Sequence, residues 1–354
     1  MKSVAAIDVG HGKPLVVDEI ELPDPRPDQV IVKLYSSGVC HSQLHQMHNA
    51  ANARPMTLGH EGTGVVTHIG SDVTHVKEGD MAIVTWVPRN AKQGRWAPEP
   101  SGVTYREEEV SGAVYTWGQD VLTTGEYVVK VDDDVPKDVS SIIGCAILTG
   151  SGAVLHTAGV KPGDSVAVWG VGGVGIAAVQ MASILEAYPI IAVDLDDAKL
   201  AWAKTMGATH TVNAANEDAV ARVTELSNGG VDYSFDAIGF KITTEQILPA
   251  TRSGGSGAEN HGGMAVLIGM PQPDQEMTIW PGHFMFHQRR YRGSLGATYP
   301  DKDFPMYLRL YKEGKLRLDD MVTRRYKLED INQACNDLQS GEITGRAIIE
   351  YDVT

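Results

Sequence analysis

The spacing of hydrophobic and polar positions along the chain changes near residue 150. Before that point the apolar runs are short and are separated by Gly, Pro and Asp, which is typical of strands joined by turns. Many short strands with turn signals between them indicate an antiparallel, barrel-like unit. The clearest runs predict strands at Gln29–Leu34, Gly62–Ile69, Met81–Val87 and Glu126–Val131.

From Ser151 onward, buried-strand runs alternate with stretches typical of helices. This alternation predicts a parallel, doubly wound sheet and therefore an α/β fold class. Further strand and helix signals run into Phe304–Lys312 and Glu329–Leu338. The predicted elements are strand Ser165–Trp169, helix Ile176–Ala187, strand Pro189–Val193, helix Asp196–Met206, and strands Tyr233–Ala237 and Met264–Ile268.

Composition narrows the classes of partner. A chain of 354 residues is expected to form two domains. The net charge of −15 disfavours nucleic acid and acidic membrane surfaces as partners, and no apolar run reaches the roughly 18 residues of a membrane span. Three cysteines and no signal-peptide pattern favour a reducing compartment, so a cytoplasmic location is expected.

A glycine-rich turn, Gly170–Gly175 (GVGGVG), lies between a predicted strand and a predicted helix. In such a turn Gly170 allows the tight bend, Gly172 lets the backbone approach a pyrophosphate, and Gly175 allows close helix–strand packing. Gly173 is a further candidate cofactor contact in the same turn. Asp194 ends the next strand, where a carboxylate can bind the adenosine ribose. Two further aspartates follow it, so NAD is favoured over NADP. The alternative is an ordinary turn with a helix-capping aspartate.

Three residues far apart in the sequence, Cys40, His60 and Cys145, form a sufficient ligand set for an open catalytic zinc site. Spacing alone does not decide this, because a buried cysteine is usually a small apolar residue. A lone histidine is likewise more often a satisfied polar group than a metal ligand.

Several separated motifs agree in order along the chain: GVCHSQLH (38–45), GHEGTGVV (59–66), GCAILTG (144–150), GVGGVG (170–175) and SGEITGRAIIEY (340–351). Together they resemble the zinc-dependent medium-chain alcohol dehydrogenases. The resemblance implies a GroES-like catalytic domain formed by 1–150 and 291–354, and a Rossmann NAD-binding domain at 151–290, with one catalytic zinc at the cleft.

The resemblance also implies roles for individual residues. It makes Cys40, His60 and Cys145 the zinc ligands, with Glu61 behind the metal and able to coordinate it during exchange. Ser42 matches the hydroxyl that touches the substrate alcohol, and His45 the solvent end of the proton relay. The implied cofactor contacts are His41 and Arg346 at the pyrophosphate, Thr149 and Val174 at the nicotinamide, Lys199 at the adenosine ribose, and Ile268. Solvated surface charge is the alternative for His41, Lys199 and Arg346, and a plain helix position for Thr149.

The chain departs from the family pattern in two places. Many relatives carry four closely spaced cysteines that hold a structural zinc, whereas no cysteine lies between Cys40 and Cys145 here. The segment Arg89–Asp120 therefore reads as a long loop without a structural zinc, held by a neighbouring subunit or by packing of Trp96, Tyr105, Tyr115 and Trp117. Gln43 stands where relatives usually have an acidic residue near a zinc ligand, which removes a negative charge beside the metal.

The leading functional hypothesis is an NAD-dependent, zinc-dependent enzyme that interconverts an alcohol and its aldehyde or ketone. Three alternatives stay open: a C=C (enoyl-type) reductase, a zinc hydrolase or hydratase with the nucleotide as passenger, and a non-catalytic role. The intact zinc ligands disfavour the first and the third, and the relay of Ser42 and His45 disfavours the second. A small-molecule substrate is expected, with Met47, Met56, Trp86 and Trp117 as candidate walls of an apolar pocket or as core residues.

Four remaining features favour structural interpretations. Cys335 is expected to be a buried thiol in an amphipathic helix, and His283 with His287 to be surface or interface histidines. Thr251–Gly263 reads as a surface insertion or as a flexible loop near the cofactor. Met277–Trp280 is a candidate strand for pairing across a homodimer, while a homotetramer is the other assembly considered.

Overall fold

The computed structural model describes residues 1–89, 100–112 and 114–352. They form two compact units, one of Met1–Cys145 with Tyr299–Thr354 and one of Ala146–Thr298. The first unit is rich in strands, and the second alternates strands and helices. Among the described residues, no helix is long and apolar enough to cross a membrane.

The chain enters the first unit through short strands and one helix that follows the longest of them. Helix α1 spans His41–His48, and a 3₁₀ segment, Val139–Gly144, leads to Cys145. The strands are β1 (Lys2–Asp8), β2 (Val16–Glu21), β3 (Gln29–Val39), β4 (Met56–Thr57), β5 (Gly62–Ile69), β6 (Met81–Val84), β7 (Thr104–Tyr105), β8 (Glu108–Glu109), β9 (Asp120–Thr124) and β10 (Val128–Lys130).

The second unit is a parallel sheet with helices between its strands, as the sequence predicted. The helices are α2 (Ala146–Gly152), α3 (Gly173–Ile184), α4 (Asp197–Thr205), α5 (Ala219–Leu226), α6 (Lys241–Gln246) and α7 (Gly282–Met285). The strands are β11 (Val166–Trp169), β12 (Ile190–Asp194), β13 (His210–Asn213), β14 (Tyr233–Asp236), β15 (Met264–Leu267) and β16 (Arg290–Gly293). Their order is β13–β12–β11–β14–β15–β16, so the connection direction reverses between β11 and β14, where doubly wound folds bind ligands.

The chain then returns to the first unit as α8 (Pro300–Lys312), β17 (Val322–Tyr326), α9 (Ile331–Ser340) and β18 (Arg346–Glu350). One sheet runs β10–β6–β5–β3–β18–β17, with β9 also paired to β3, and a second runs β4–β1–β2–β7–β8. Strand β3 is central, because it is antiparallel to both β5 and β18. The end of β3 and the start of β5 therefore share one edge of the sheet.

The expected long loop at Arg89–Asp120 is wrong for the described part of that segment. Strands β7 and β8 form a hairpin that extends the sheet beyond β2. Tyr105, Tyr115 and Trp117 are buried, which confirms the packing expected of them. Trp96 lies outside the described residues.

Two predicted boundaries also shift. The units divide after Cys145 and after Thr298 rather than at 150 and 291, because α2 packs against α3 and because β16 pairs with β15 inside the second unit.

Helix α3 starts at Gly173, three residues before the predicted start at Ile176. Glycine has a weak helix propensity, which hides this first turn in the sequence.

The hydrophobic core of the first unit includes two residues that were candidate walls of a substrate pocket. Trp117 and Met56 belong to it, with 0% and 6% of their surface exposed, so the core alternative applies to them and the pocket-wall hypothesis is wrong. Cys335 is buried on α9, as predicted, and burial raises the pKa of its thiol to about 12. A thiol of this kind is chemically inert.

Candidate metal centre and nucleotide turn

Four side chains of the first unit converge at the edge where β3 ends and β5 begins. The ligand atoms of Cys40, His60, Glu61 and Cys145 all lie within 4.8 Å of one another, and this is the only such group found among the described residues. The Sγ atoms of Cys40 and Cys145 are 3.9 Å apart. Two sulfurs about 2.3 Å from one tetrahedral zinc would be roughly 3.8 Å apart, so the spacing fits the metal.

The fold explains why these residues meet. Cys40 follows β3 directly and is the N-cap of α1, while His60 and Glu61 precede β5. Cys145 follows the 3₁₀ segment Val139–Gly144, which packs on β3, β5 and β6. Gly59 adopts φ +93°, and a Cβ there would lie 2.6 Å from Thr116 Oγ1, so the turn that presents His60 requires glycine.

The chemistry of the donor set also fits a metal. The hydrogen bond from Cys145 lowers the pKa of the Cys40 thiol well below its usual value, and Arg346 and His60 add to this effect against the cost of burial. A thiolate is the form that binds metal. Among the described residues, Nε2 of His60 is buried and has no hydrogen-bond partner. A buried imidazole nitrogen without a partner is costly unless a ligand satisfies it.

Gln43 contacts the other side of the His60 ring. Its side chain is 1% exposed, and its carboxamide nitrogen lies 2.6 Å from Nδ1 of His60. Gln43 holds its place through α1, where its backbone N–H donates to the Cys40 carbonyl. The residue noted in the sequence as a departure is therefore in direct contact with a candidate ligand.

Glu61 is paired with a buried cation. Its carboxylate accepts a hydrogen bond from Nη2 of Arg346, which lies on β18 and is 5% exposed. Gly38 leaves the space that the Glu61 side chain occupies. The surface-charge alternative for Arg346 is therefore wrong, and its contact with a pyrophosphate stays a prediction.

Sequence reasoning missed the polar network that holds the Glu61 backbone. Thr116 Oγ1 accepts from Glu61 N–H at 3.2 Å and donates to the Glu61 carbonyl at 3.1 Å. Ser37 Oγ donates to Thr116 Oγ1 at 2.7 Å, and Trp117 Nε1 donates to the Gly38 carbonyl at 3.1 Å. Single Ser and Thr residues give no signal of such a role in the sequence.

The candidate proton relay lies on α1. Ser42 is half-buried, and its Oγ is buried with no hydrogen-bond partner within the described part of the chain. His45 is half-buried and lies three residues later, so the two side chains share a helix face. His41 is exposed at the start of the helix. Trp86, one of the candidate pocket residues, lies beside the metal cluster, with its ring centroid 6.4 Å from that of His60.

Sequence reasoning also missed an ion pair that fixes the C-terminal end of α1. Arg54 forms a largely buried ion pair with Asp8, with Nε 2.9 Å from Oδ2. The same guanidinium donates to the carbonyls of Met47, Asn49 and Asn52. The clamp therefore ties the C-terminal end of the helix that carries Ser42 and Gln43 to strand β1.

The glycine turn of the second unit has the geometry that its sequence predicts. Gly170 has φ +82°, and a side chain there would collide with Ile238, while one at Gly175 would collide with the Gly170 carbonyl. A Cβ at Gly172 would instead meet nothing within 4 Å. Open space at the start of α3, a helix of 12 residues, fits a pyrophosphate at a helix N-terminus.

Asp194 is oriented by the turn itself. Its Oδ2 accepts from Val171 N–H at 2.9 Å, and its Oδ1 accepts from Leu195 N–H at 2.8 Å. Asp196, not Asp194, caps α4, by accepting from Ala198 N–H at 2.8 Å. Oδ1 of Asp194 also accepts from Asp196 N–H at 3.2 Å. The helix-capping alternative for Asp194 is therefore wrong, and Oδ2, which accepts from Val171 alone, keeps a lone pair for a ribose hydroxyl.

The other predicted cofactor residues of the second unit lie on α2, α3, α4 and the end of β15. Thr149 and Val174 are brought near each other because Gly150 lets α2 approach the Val174 carbonyl. Oγ1 of Thr149 is buried without a partner among the described residues. Ile268 donates its N–H to the Asp236 carbonyl at 2.9 Å, and Lys199 is half-buried on α4.

Sequence reasoning did not identify Asp236, which ends β14 beside the glycine turn. Its Oδ1 accepts from Ile238 and Gly239 N–H groups at 2.9 and 3.1 Å. Its Oδ2 is buried with no partner in the described chain, and burial raises the pKa of its carboxyl. Its position at the carboxyl end of a parallel strand was the available signal.

The segments that the sequence assigned to the surface differ in how far the structure exposes them. His283 and His287 lie beside Trp280, with ring centroids 5.4 and 5.9 Å from its ring, and both are half-buried. Met277–Trp280 forms no strand in the described structure, and its terminal residues are exposed. Thr251–Gly263 is irregular and mostly exposed.

Comparison with known proteins gives matches on both units. Residues 26–133 match the family described as alcohol dehydrogenase GroES-like domain, and residues 173–313 match zinc-binding dehydrogenase. The chain is 34% identical to the NDMA-dependent alcohol dehydrogenase of Amycolatopsis methanolica over 97% of both chains. It is 30% identical to S-(hydroxymethyl)glutathione dehydrogenase of Komagataella pastoris over 99% of this chain and 97% of the relative. The crystal structure of benzyl alcohol dehydrogenase from Acinetobacter calcoaceticus superposes with a TM-score of 0.87 at 29% identity, covering 99% of each chain.

Proposed function

The chain belongs to the zinc-dependent medium-chain alcohol dehydrogenase family, and we propose that it interconverts an alcohol and the corresponding aldehyde or ketone by hydride transfer to or from NAD. The observation that carries this proposal is the convergence of Cys40, His60, Glu61 and Cys145 in one buried cluster. Two thiols and an imidazole whose Nε2 has no partner in the described part of the chain are the donor set of an open zinc site.

Cys40, His60 and Cys145 would hold the zinc, and Glu61 lies beside them with its carboxylate neutralised by Arg346. When bound there, zinc supplies a Lewis acid that polarises the substrate oxygen and favours its deprotonated form. Ser42 would take the hydroxyl proton at Oγ, and His45, on the same face of α1, would release a proton to solvent. Oxidation then yields the carbonyl compound, reduced cofactor and one proton.

NAD as the hydride acceptor is supported by the second unit. The open space at Gly172 and the start of α3 can receive a pyrophosphate. The Asp194 carboxylate, oriented by Val171, can accept at Oδ2 from a hydroxyl of an adenosine ribose and would repel a 2′-phosphate. One relative is NDMA-dependent by name, so the return of the reduced cofactor to the oxidised form is a separate question for experiment.

The substrate proposed is a small alcohol or carbonyl compound. The named relatives act on an S-(hydroxymethyl) adduct of glutathione and on alcohols, including benzyl alcohol, and Trp86 gives this chain a large aromatic side chain near His60. An aromatic ring at this position favours apolar alcohols over sugars or charged substrates. We further propose a homodimeric or homotetrameric enzyme with no nucleic-acid or membrane partner, in line with the net charge of −15.

A substrate panel tests the proposal. Purified protein would be assayed for NADH formation with primary, secondary, cyclic and aromatic alcohols and with S-(hydroxymethyl)glutathione. Each assay would be run with NAD alone, with NADP, and with NDMA added, before and after treatment with a strong zinc chelator. We expect chelator-sensitive oxidation with NAD.

Three results would point elsewhere. Activity only with NDMA present would identify a cofactor that is not released in each turnover. Chelator-insensitive reduction of conjugated C=C bonds would replace the proposal by the enoyl-type reductase. Failure of every alcohol by a zinc-loaded protein that hydrolyses or hydrates a test compound would replace it by the hydrolase or hydratase.

A further inference from the structure

Gln43 touches a candidate zinc ligand and is not itself a member of the candidate ligand group. Its carboxamide lies 2.6 Å from Nδ1 of His60, and its side chain is 1% exposed. The other ring nitrogen, Nε2, is buried and has no hydrogen-bond partner among the described residues, so it is the atom left to bind a metal. Any change in the hydrogen bond at Nδ1 therefore acts on the metal through His60.

A carboxamide differs from a carboxylate in what it can do at Nδ1. It can donate through its nitrogen or accept through its oxygen after a half-turn, whereas a carboxylate can only accept. Coordination through Nε2 requires the proton on Nδ1. A carboxylate would hold His60 in that tautomer, while Gln43 is compatible with either tautomer.

Charge makes the second difference. Two thiolates balance a zinc dication, and Glu61 is balanced by Arg346. With neutral Gln43, the charges of the centre sum to zero. A carboxylate in its place would add one buried negative charge beside a ligand. That charge would increase the attraction for the zinc ion and would make the imidazole donate more electron density to the metal.

We propose that Gln43 is a positioning residue that trades zinc affinity for electrophilicity: its neutral carboxamide leaves the tautomer of His60 unlocked and the centre without added negative charge. The zinc site is consequently weaker and more polarising than the same site with a carboxylate at this position. This inference rests on the proposed zinc-dependent function, but its first readout is metal binding by the protein itself.

The test compares Gln43→Glu, which keeps the side-chain length and adds a carboxylate, with Gln43→Met, which keeps the length and removes every hydrogen bond. Gln46→Glu is the matched control, because Gln46 is exposed on the same helix and the change in charge is identical. Zinc dissociation constants would be measured by competition with a chromophoric chelator, starting from metal-stripped protein. Gln43→Asp serves as the carboxylate variant if Gln43→Glu does not give folded protein by circular dichroism.

We expect Gln43→Glu to bind zinc about 10–100-fold more tightly than the parent and Gln43→Met about 10–100-fold more weakly. Gln46→Glu should stay within about twofold, because an exposed charge on this helix is screened by solvent. With zinc fully loaded, kcat/KM of Gln43→Glu should fall about tenfold although the metal is held more tightly. A residue that only packs would weaken binding and activity together in both variants.

The outcomes separate this inference from the proposed function. Equal zinc affinity for the parent and Gln43→Glu, or equal weakening by Gln43→Glu and Gln43→Met, would overturn the role of Gln43 even if the protein oxidises alcohols. The expected order of zinc affinities with no alcohol oxidised by any variant would support the effect of Gln43 on the metal and remove the proposed function. Tighter zinc binding with unchanged or higher kcat/KM would overturn the trade of affinity for electrophilicity.

Discussion

The metal cluster and the glycine turn are built by opposite means. The cluster depends on side chains from three distant segments, with Glu61 and Arg346 buried as an ion pair behind it. The turn depends on backbone and on missing side chains, because Gly170 and Gly175 have no room for a Cβ. A site made of side chains is lost by removing atoms, whereas a site made of backbone is lost by adding them.

The largest expected effect is loss of a metal ligand. Cys145→Ala should lower kcat/KM about a thousandfold, because several kcal/mol of Lewis-acid stabilisation disappear with the zinc. Zinc content per chain and NADH formation would be measured side by side. NAD binding, followed by fluorescence titration, should be unchanged, and a parallel loss of NAD binding would show that the two sites are not independent.

The converse change adds atoms to the turn. Gly175→Ala places a methyl group against the Gly170 carbonyl, so we expect NAD affinity to fall about a hundredfold as the turn shifts away from its geometry. Zinc content should stay at the parent value. Gly163→Ala is a control of the same chemistry at a position in the second unit where a Cβ meets nothing; it also has positive φ, so it reports the cost of backbone strain alone.

A third change tests the one side chain on which the turn depends. Asp194→Ala removes acceptors for the ribose and the partner of the Val171 N–H, so KM for NAD should rise about 10–100-fold. KM for NADP should rise less or fall, since the repulsive carboxylate is gone. An unchanged ratio of the two KM values would contradict the assigned role of Asp194.

The smallest expected effect concerns Asp236, the buried carboxyl beside the glycine turn. Burial raises the pKa of Asp236 above its ordinary value, so the folded state binds its proton more tightly than the unfolded state. The free energy of unfolding therefore falls as pH rises from about 3.9 through that raised pKa. Asp236→Asn removes this loss and should stabilise the protein by about 1 kcal/mol at neutral pH and by nothing near pH 3. Urea unfolding at the two pH values measures the difference, and equal differences at both would contradict it.

The sequence predicted the fold class, the residues that converge in the metal cluster and the geometry of the glycine turn, because their signals are local or carried by ordered motifs. The glycine turn, Asp194 and the segments bearing Cys40 and His60 are of this kind. The hairpin of β7 and β8 escaped because its turn residues, Arg106 and Glu107, adopt positive φ without the Asn or Gly that marks such turns. The partners of Arg346 and Arg54 escaped because they lie 285 and 46 residues away, and a single sequence holds no sign of such pairings.

The central position of β3 also determines when the first unit can be completed during synthesis. The zinc ligands and their strand β3 leave the ribosome early, but β18, which pairs with β3 and supplies Arg346, follows the whole of Ala146–Thr298. The second unit is a continuous stretch and can fold as soon as it emerges. Strand β9 already pairs with Gln29–Lys33, so a nascent chain leaves the last part of β3, Ser36–Val39, unpaired on one side until β18 has left the ribosome. In that interval chaperone binding competes with aggregation through this short open edge.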